Sequence, residues 1–135
     1  MTPTLAALAG FISWTLLLLV LMELIRARLT MTKAVPANGF RPDNANLSPF
    51  MQRLARAHAN CLEGLPVFGG LMLIAVVSGH SALTDPLAPV LLGARIVQSV
   101  IHLISLSETA VTLRFCAFVV QMVIGVVWAV RLLML

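Results

Sequence analysis

Apolar residues fall along this chain in four long blocks, separated by one polar stretch and two short breaks. The first block, from about Leu5 to Ile25, has the ~20 residues a helix needs to cross ~30 Å of hydrocarbon. Glu23 closes it and Arg26 and Arg28 follow; Glu23 and Arg26 are i, i+3 neighbours and are expected to pair. Over residues 29–48 the pattern breaks, with Pro36, Asn38, Gly39, Pro42, Asp43, Asn44 and Asn46 predicting a loop. Ser48 followed by Pro49 reads as an N-cap with proline at the first helical position, so a second helix is expected over about 49–79. Pro66 within it removes a backbone donor and predicts a kink just past Glu63, while Gly69 and Gly70 allow close packing. A turn over 80–86, with Thr84 or Asp85 as cap and Pro86 as the first helical residue, leads into a third span over about 86–106. After a brief linker beginning at Ser107, a fourth span covers about 110–133, with Trp128 and Arg131 expected at its interfacial end. The pattern is that of an all-α membrane protein, a bundle of four transmembrane helices in one domain, 1–135.

Composition sharpens this. A chain that is 60% hydrophobic and 10% charged, with a mean hydropathy of +1.01, has too much apolar surface for one small soluble core. The net charge of +4 arises mainly from the loop and its flanks, at Arg26, Arg28, Lys33, Arg41, Arg53 and Arg56. Its partner is therefore the anionic face of a lipid bilayer, and no nucleic acid is expected. By the positive-inside rule the 26–48 loop is cytoplasmic and both termini lie on the opposite side. The N-terminus lacks a basic leader region and its apolar run is long, so the first block is expected to be a permanent span and not a cleaved signal. Cys61 and Cys116 lie in apolar blocks and are expected as buried free thiols. No metal site is expected.

The polar residues inside the blocks carry the chemistry. Arg56, Asn60 and Glu63 stand at i, i+4 and i+7 and share one helix face; Arg95, Ser99 and His102 repeat the spacing on the third span, and Arg114 and Gln121 share a face of the fourth. A charged side chain at the centre of a spanning helix costs about 2.5–3.5 kcal/mol even on the lenient insertion scale, so Glu63 and Arg95 need a partner or an aqueous cavity. One reading is a buried Glu63–Arg95 ion pair that locks spans two and three, with Asn60 adding a hydrogen bond. The other, compatible with it, is a pocket. The topology places Arg26 or Arg28, Arg56, Asn60, Glu63, Arg95, His102 and Arg114 at comparable depth in the cytoplasmic half, for Glu63 lies roughly 10 Å above Arg56 and Arg95 roughly 10 Å deeper than His102. Four arginines against one glutamate suit a ligand with two carboxylates and one ammonium, the ammonium directed to Glu63. A thiol on that ligand would be favoured as the thiolate.

The run from Arg56 to Phe68, RAHANCLEGLPVF, with four spans in a chain of this length, resembles the MAPEG family of membrane-associated proteins in eicosanoid and glutathione metabolism. The resemblance covers nearly the whole chain: a basic stretch after span one, R-x-H-x-N-x-x-E on span two, the Ala94–Arg95 pair on span three and an arginine starting span four. It implies a four-helix bundle assembled as a homotrimer, with glutathione as cosubstrate held between protomers in the cytoplasmic half. Asn60 and Glu63 match positions that hold glutathione, Arg95 matches a binding arginine, Arg26 resembles one supplied by a neighbour, and Arg114 resembles the catalytic arginine that stabilises the thiolate. Arg56 and His102 complete the expected binding set. The chain departs from some relatives at Ala59, where they have arginine, at His102, where they have tyrosine, and at Phe115, where they have serine.

The activity implied is a glutathione-dependent transferase or peroxidase acting on lipophilic small-molecule electrophiles through an activated thiolate, with no covalent enzyme intermediate. The alternative is a non-catalytic lipid-binding or scaffold member, like the branch that binds fatty acids. A small multidrug transporter also has four spans and one intramembrane glutamate, but here Glu23 stands at the end of span one, and intramembrane arginines would repel cationic drugs.

Overall fold

The computed structural model describes residues 1–135, all of them in helices, turns and connecting loop with no strand. Helix α1 runs Pro3–Met31, capped by the Thr2 hydroxyl, which accepts from the Leu5 N–H at 3.1 Å. Its 29 residues amount to about 43 Å, so it projects beyond a ~30 Å hydrocarbon layer and carries Glu23, Arg26 and Arg28 on the projecting end. Helix α2 (Pro49–Gly64) starts on Ser48, whose hydroxyl accepts from Met51 N–H at 3.3 Å. A π turn over Leu65–Gly69 and helix α3 (Gly70–Val77) continue it as one rod. Helices α4 (Ala88–Ile104) and α5 (Glu108–Leu133) follow. By length and composition α1, the α2–α3 rod and α5 are membrane spans, and α4 is a shorter apolar helix of 17 residues.

The π turn is the form that the Pro66 distortion takes. With no N–H at Pro66 the i→i−4 ladder lapses, and the chain widens by one residue instead of breaking. Gly69 then lets the rod approach Leu8 of α1, where a Cβ would stand 3.2 Å from a Leu8 methyl; Gly70 meets nothing and faces open space.

Helix α4 touches α1, α2 and α5 and is the element they share. Two apolar clusters result. One gathers Ala7, Leu8, Phe11, Phe68, Met72, Ala88, Leu91, Ile124 and Trp128; the other joins Leu18 and Met22 of α1 to Met51, Leu54, Ala57 and Cys61 of α2. Trp128, expected at an interface, is instead fully buried in the first cluster, because α5 turns that face toward Phe11 and Phe68. Cys61 is buried, whereas Cys116 is exposed on the outer face of α5 beside Phe115; both are free thiols. The outward faces are apolar, with Leu16, Leu24 and Val126 more than half exposed, as suits a surface bathed in lipid.

Both ends of the bundle are tied by polar contacts. The expected cap of the third helix is absent: α4 begins at Ala88 on Leu87, and Pro86 stays in the turn. Asp85 is diverted because its carboxylate accepts from the Thr4 N–H at 3.0 Å and from the Thr4 hydroxyl, pinning the start of α1 to the 81–87 turn. At the other end Arg26 pairs with Glu23 at 3.2 Å, donates through Nε and Nη2 to Asn44 Oδ1, and reaches the Arg41 carbonyl at 3.0 Å. Asn44, fully buried with φ 55°, donates in turn to the Met51 carbonyl at 2.7 Å. The loop is thus folded back across the end of α1. The linker before α5 is only Ser105–Ser107, with Ser107 capping Ala110 N–H at 3.2 Å.

Candidate functional site

The polar faces of α2, α4 and α5 meet at mid-bundle. Arg95 is 1% exposed and donates from Nη1 to Asn60 Oδ1 at 3.3 Å. Its guanidinium stands over the Phe11 ring, 5.4 Å from the centroid, and lies against the backbone of Gly64, where a Cβ would fall 2.7 Å from Nη2. Nε and Nη2 have no partner. The expected Glu63–Arg95 ion pair does not form: the only ion pair in the chain is Glu23–Arg26, and Glu63 is exposed. The reason is helical phase, since Asn60, one turn earlier, occupies the position facing Arg95 and Glu63 points to the open side. A buried cation with a neutral partner and two idle donors is costly to keep inside a protein.

Two neighbouring cavities with walls in common open beside it. The larger, about 680 Å³, runs along the α2–α3 rod and α5, with Asn60, Glu63 and Arg95 at one end and Val67, Ile74, Met122, Val126 and Ala129 beyond. The smaller, about 360 Å³, is lined by Asn60, Glu63, Gln98, Val111, Arg114, Phe115 and Phe118. They share Asn60, Glu63 and Phe118 as walls, so a polar chamber lined by Arg114 adjoins an apolar trough. Both lie open on one side of the chain.

The expected site residues divide. Asn60, Glu63, Arg95 and Arg114 line the cavities. Arg56, Arg26 and His102 do not. Arg56 is exposed on the first turns of α2, and Arg26 is engaged by Asn44, Glu23 and Arg41 within its own chain. His102 is 4% exposed near the end of α4, its Nε2 without a partner, with Arg53, Arg56 and Arg114 as charged neighbours. Arg53 closes that end of α4, its Nε donating to the Leu103 carbonyl at 2.9 Å. Ser99 bonds inward, to the Arg95 carbonyl at 3.0 Å and to Cys61 Sγ at 3.1 Å. Arg114 keeps a buried Nη1 without a partner.

Gln98 was not among the expected residues although it lines the smaller cavity. Its signal was present: it stands at i+3 from Arg95, inside the same stripe as Ser99 and His102, and Gln121 from α5 donates to it at 2.8 Å. No group of histidine, cysteine, aspartate or glutamate is arranged to hold a metal ion.

In chemical terms the chamber offers cationic and amide donors from three helices, one exposed carboxylate and an adjoining apolar trough. The family model described as MAPEG family matches residues 4–134. No curated protein and no solved structure matches the chain.

Proposed function

We propose, from the premise that the chain belongs to the MAPEG family, that this integral membrane protein binds glutathione in the chamber between α2, α4 and α5 and activates its thiol toward lipophilic electrophiles entering from the bilayer. The observation that carries the reading is Arg95: a guanidinium almost wholly buried, with Nε and Nη2 unpartnered and no carboxylate of its own chain in contact. Such a group is tolerated when a bound anion completes it. Asn60 and Glu63 stand on the same wall, where Glu63 suits the ligand's ammonium and Arg95 a carboxylate. Arg114 lines the smaller cavity, where its guanidinium charge would stabilise a thiolate. The apolar trough from Val67 to Ala129 takes the lipophilic cosubstrate. Transferase or peroxidase chemistry follows from which electrophile the thiolate attacks.

The open side of both cavities suits closure by a neighbouring copy in a homotrimer, whose Arg26, held by Asn44 and Glu23, would be the neighbour's contribution. The loop end of the bundle is then cytoplasmic, because the chain's basic residues gather there. A second reading, lipid binding without conjugation, is favoured by the size and apolar lining of the larger cavity.

The test is thermal stabilisation of the purified protein by glutathione, expected to grow as RT ln(1 + [L]/Kd). Stabilisation with thiolate absorbance supports the enzyme, and stabilisation without thiolate supports the lipid-binding reading. No shift at millimolar glutathione sinks the proposal. Chemical crosslinking is expected to stop at three subunits, and a stable monomer or dimer would count against a shared site.

A further inference from the structure

The Gln98–Gln121 pair fixes which end of a carboxamide faces the chamber. Gln121 Nε2 donates to the Ala117 carbonyl at 3.1 Å and to Gln98 Oε1 at 2.8 Å. A backbone carbonyl can only accept, so Ala117, one turn earlier on α5, sets Gln121 with its nitrogen toward both acceptors. Reversing Gln121 would put oxygen against oxygen at Ala117. Gln98 must therefore present its oxygen to Gln121. Its nitrogen is left as the free end, with no partner in the protein and not sealed away, on the wall of the cavity that also holds Arg114. Gln121 is fully buried and Gln98 is 4% exposed, so neither amide is at liberty to reorient in solvent.

We infer that Gln98 is a second catalytic donor, its Nε2 amide hydrogen-bonding the glutathione sulfur alongside Arg114, with Gln121 as the positioning residue that holds it in the donating orientation. Phe115, Phe118 and Val111 supply the remaining wall. Walled by those side chains, a fixed N–H dipole acts on an anion more strongly than it would in bulk water. The S–H bond is lost as its proton passes to water, and the electron pair left on sulfur is shared by two donors from different helices, the charge-bearing Arg114 on α5 and the neutral Gln98 on α4. This deepens the glutathione reading and rests on it.

Gln98→Glu is the decisive variant, because the carboxylate still accepts from Gln121 while the atom facing the chamber changes from donor to anionic acceptor. The bound thiol's pKa, followed by ultraviolet thiolate absorbance against pH, is expected to rise by about one unit or more, leaving about tenfold less thiolate at neutral pH. Stabilisation by saturating S-methylglutathione, which has no ionisable thiol, is expected to persist at a higher ligand concentration, showing that the fold and the pocket survive. Gln98→Met should give a smaller rise, and Gln121→Leu, which frees Gln98 to turn, a smaller one still. An unaltered thiolate titration in Gln98→Glu, with S-methylglutathione still bound, overturns the role of Gln98 alone. Absence of any glutathione-dependent stabilisation of the unchanged protein overturns the glutathione reading and this inference together.

Discussion

Around Trp128, the side chains of Phe11, Phe68, Met72 and Leu91 meet as an apolar cluster closed at its end by the Thr4–Asp85 contacts, with Trp128 Nε1 as its one unpartnered polar atom. On the side of Arg95, a single turn further along α4 from Leu91, helices α4 and α5 carry Arg95, His102, Arg114 and Gln121, each with a buried donor or acceptor left idle. One region satisfies itself by burying apolar area; the other accepts the expense of buried polar groups and gains a chamber. Stability should therefore be lost most in the first region and activity most in the second, and substitutions in each test that division.

The largest effect is expected from Trp128→Ala, which empties the centre of the apolar cluster and should destabilise the protein by about 3–5 kcal/mol. Thermal unfolding in detergent measures this, and glutathione affinity of the fraction that remains folded should be little changed. Arg114→Ala is expected to reverse the pattern: conjugation of a model electrophile falls about 100-fold or more, while unfolding shifts only slightly. An equal loss of rate and of glutathione affinity would make Arg114 a binding residue instead.

Arg95→Met comes next and bears directly on the idle donors. Without ligand, replacing a buried cation by an apolar side chain of similar length should be neutral or stabilising, by up to about 4 kcal/mol. Glutathione affinity should fall by about 10- to 100-fold, the equivalent of a lost charge-assisted hydrogen bond. A marked loss of stability without ligand would mean that Arg95 serves the bundle and not a ligand.

Most of the frame was legible in the sequence because it follows from local rules. Ser48–Pro49 began a helix as capping requires, Pro66 distorted the rod, and Glu23 found Arg26 at i, i+3. The three-residue stripe of α4 was also legible, since a shared helix face depends on spacing alone. Partner choice across helices was not. Arg95 went to Asn60 instead of Glu63 because the rotation of α2 against α4 is set by packing, which spacing does not specify. Asp85 was drawn from its expected cap by Thr4, 81 residues away in sequence. Trp128 likewise reads as an interfacial anchor until the turn of α5 places it under Phe68, and the role of Gln98 appears only once Gln121 and Ala117 stand beside it.

The smallest effect is expected at the boundary between the two regions. Gly64 lies on α2 where Arg95 crosses it, and a Cβ there would stand 2.7 Å from Nη2, too close to be accommodated without a shift. The neighbour that must yield is the end of a long side chain, so Gly64→Ala should move the guanidinium off its place over Phe11 without opening the helices. The stability change should be about 1 kcal/mol or less, because alanine's better helix propensity offsets part of the crowding. Glutathione affinity should weaken by about threefold to tenfold as Arg95 loses its position, while Gly70→Ala, six residues on, where a Cβ meets nothing within 4 Å, should leave that affinity unchanged. Isothermal titration of the two variants measures the contrast. Equal affinities would show that Arg95 finds its ligand without the backbone of α2 to hold it, and that the chamber is set by α4 and α5 alone.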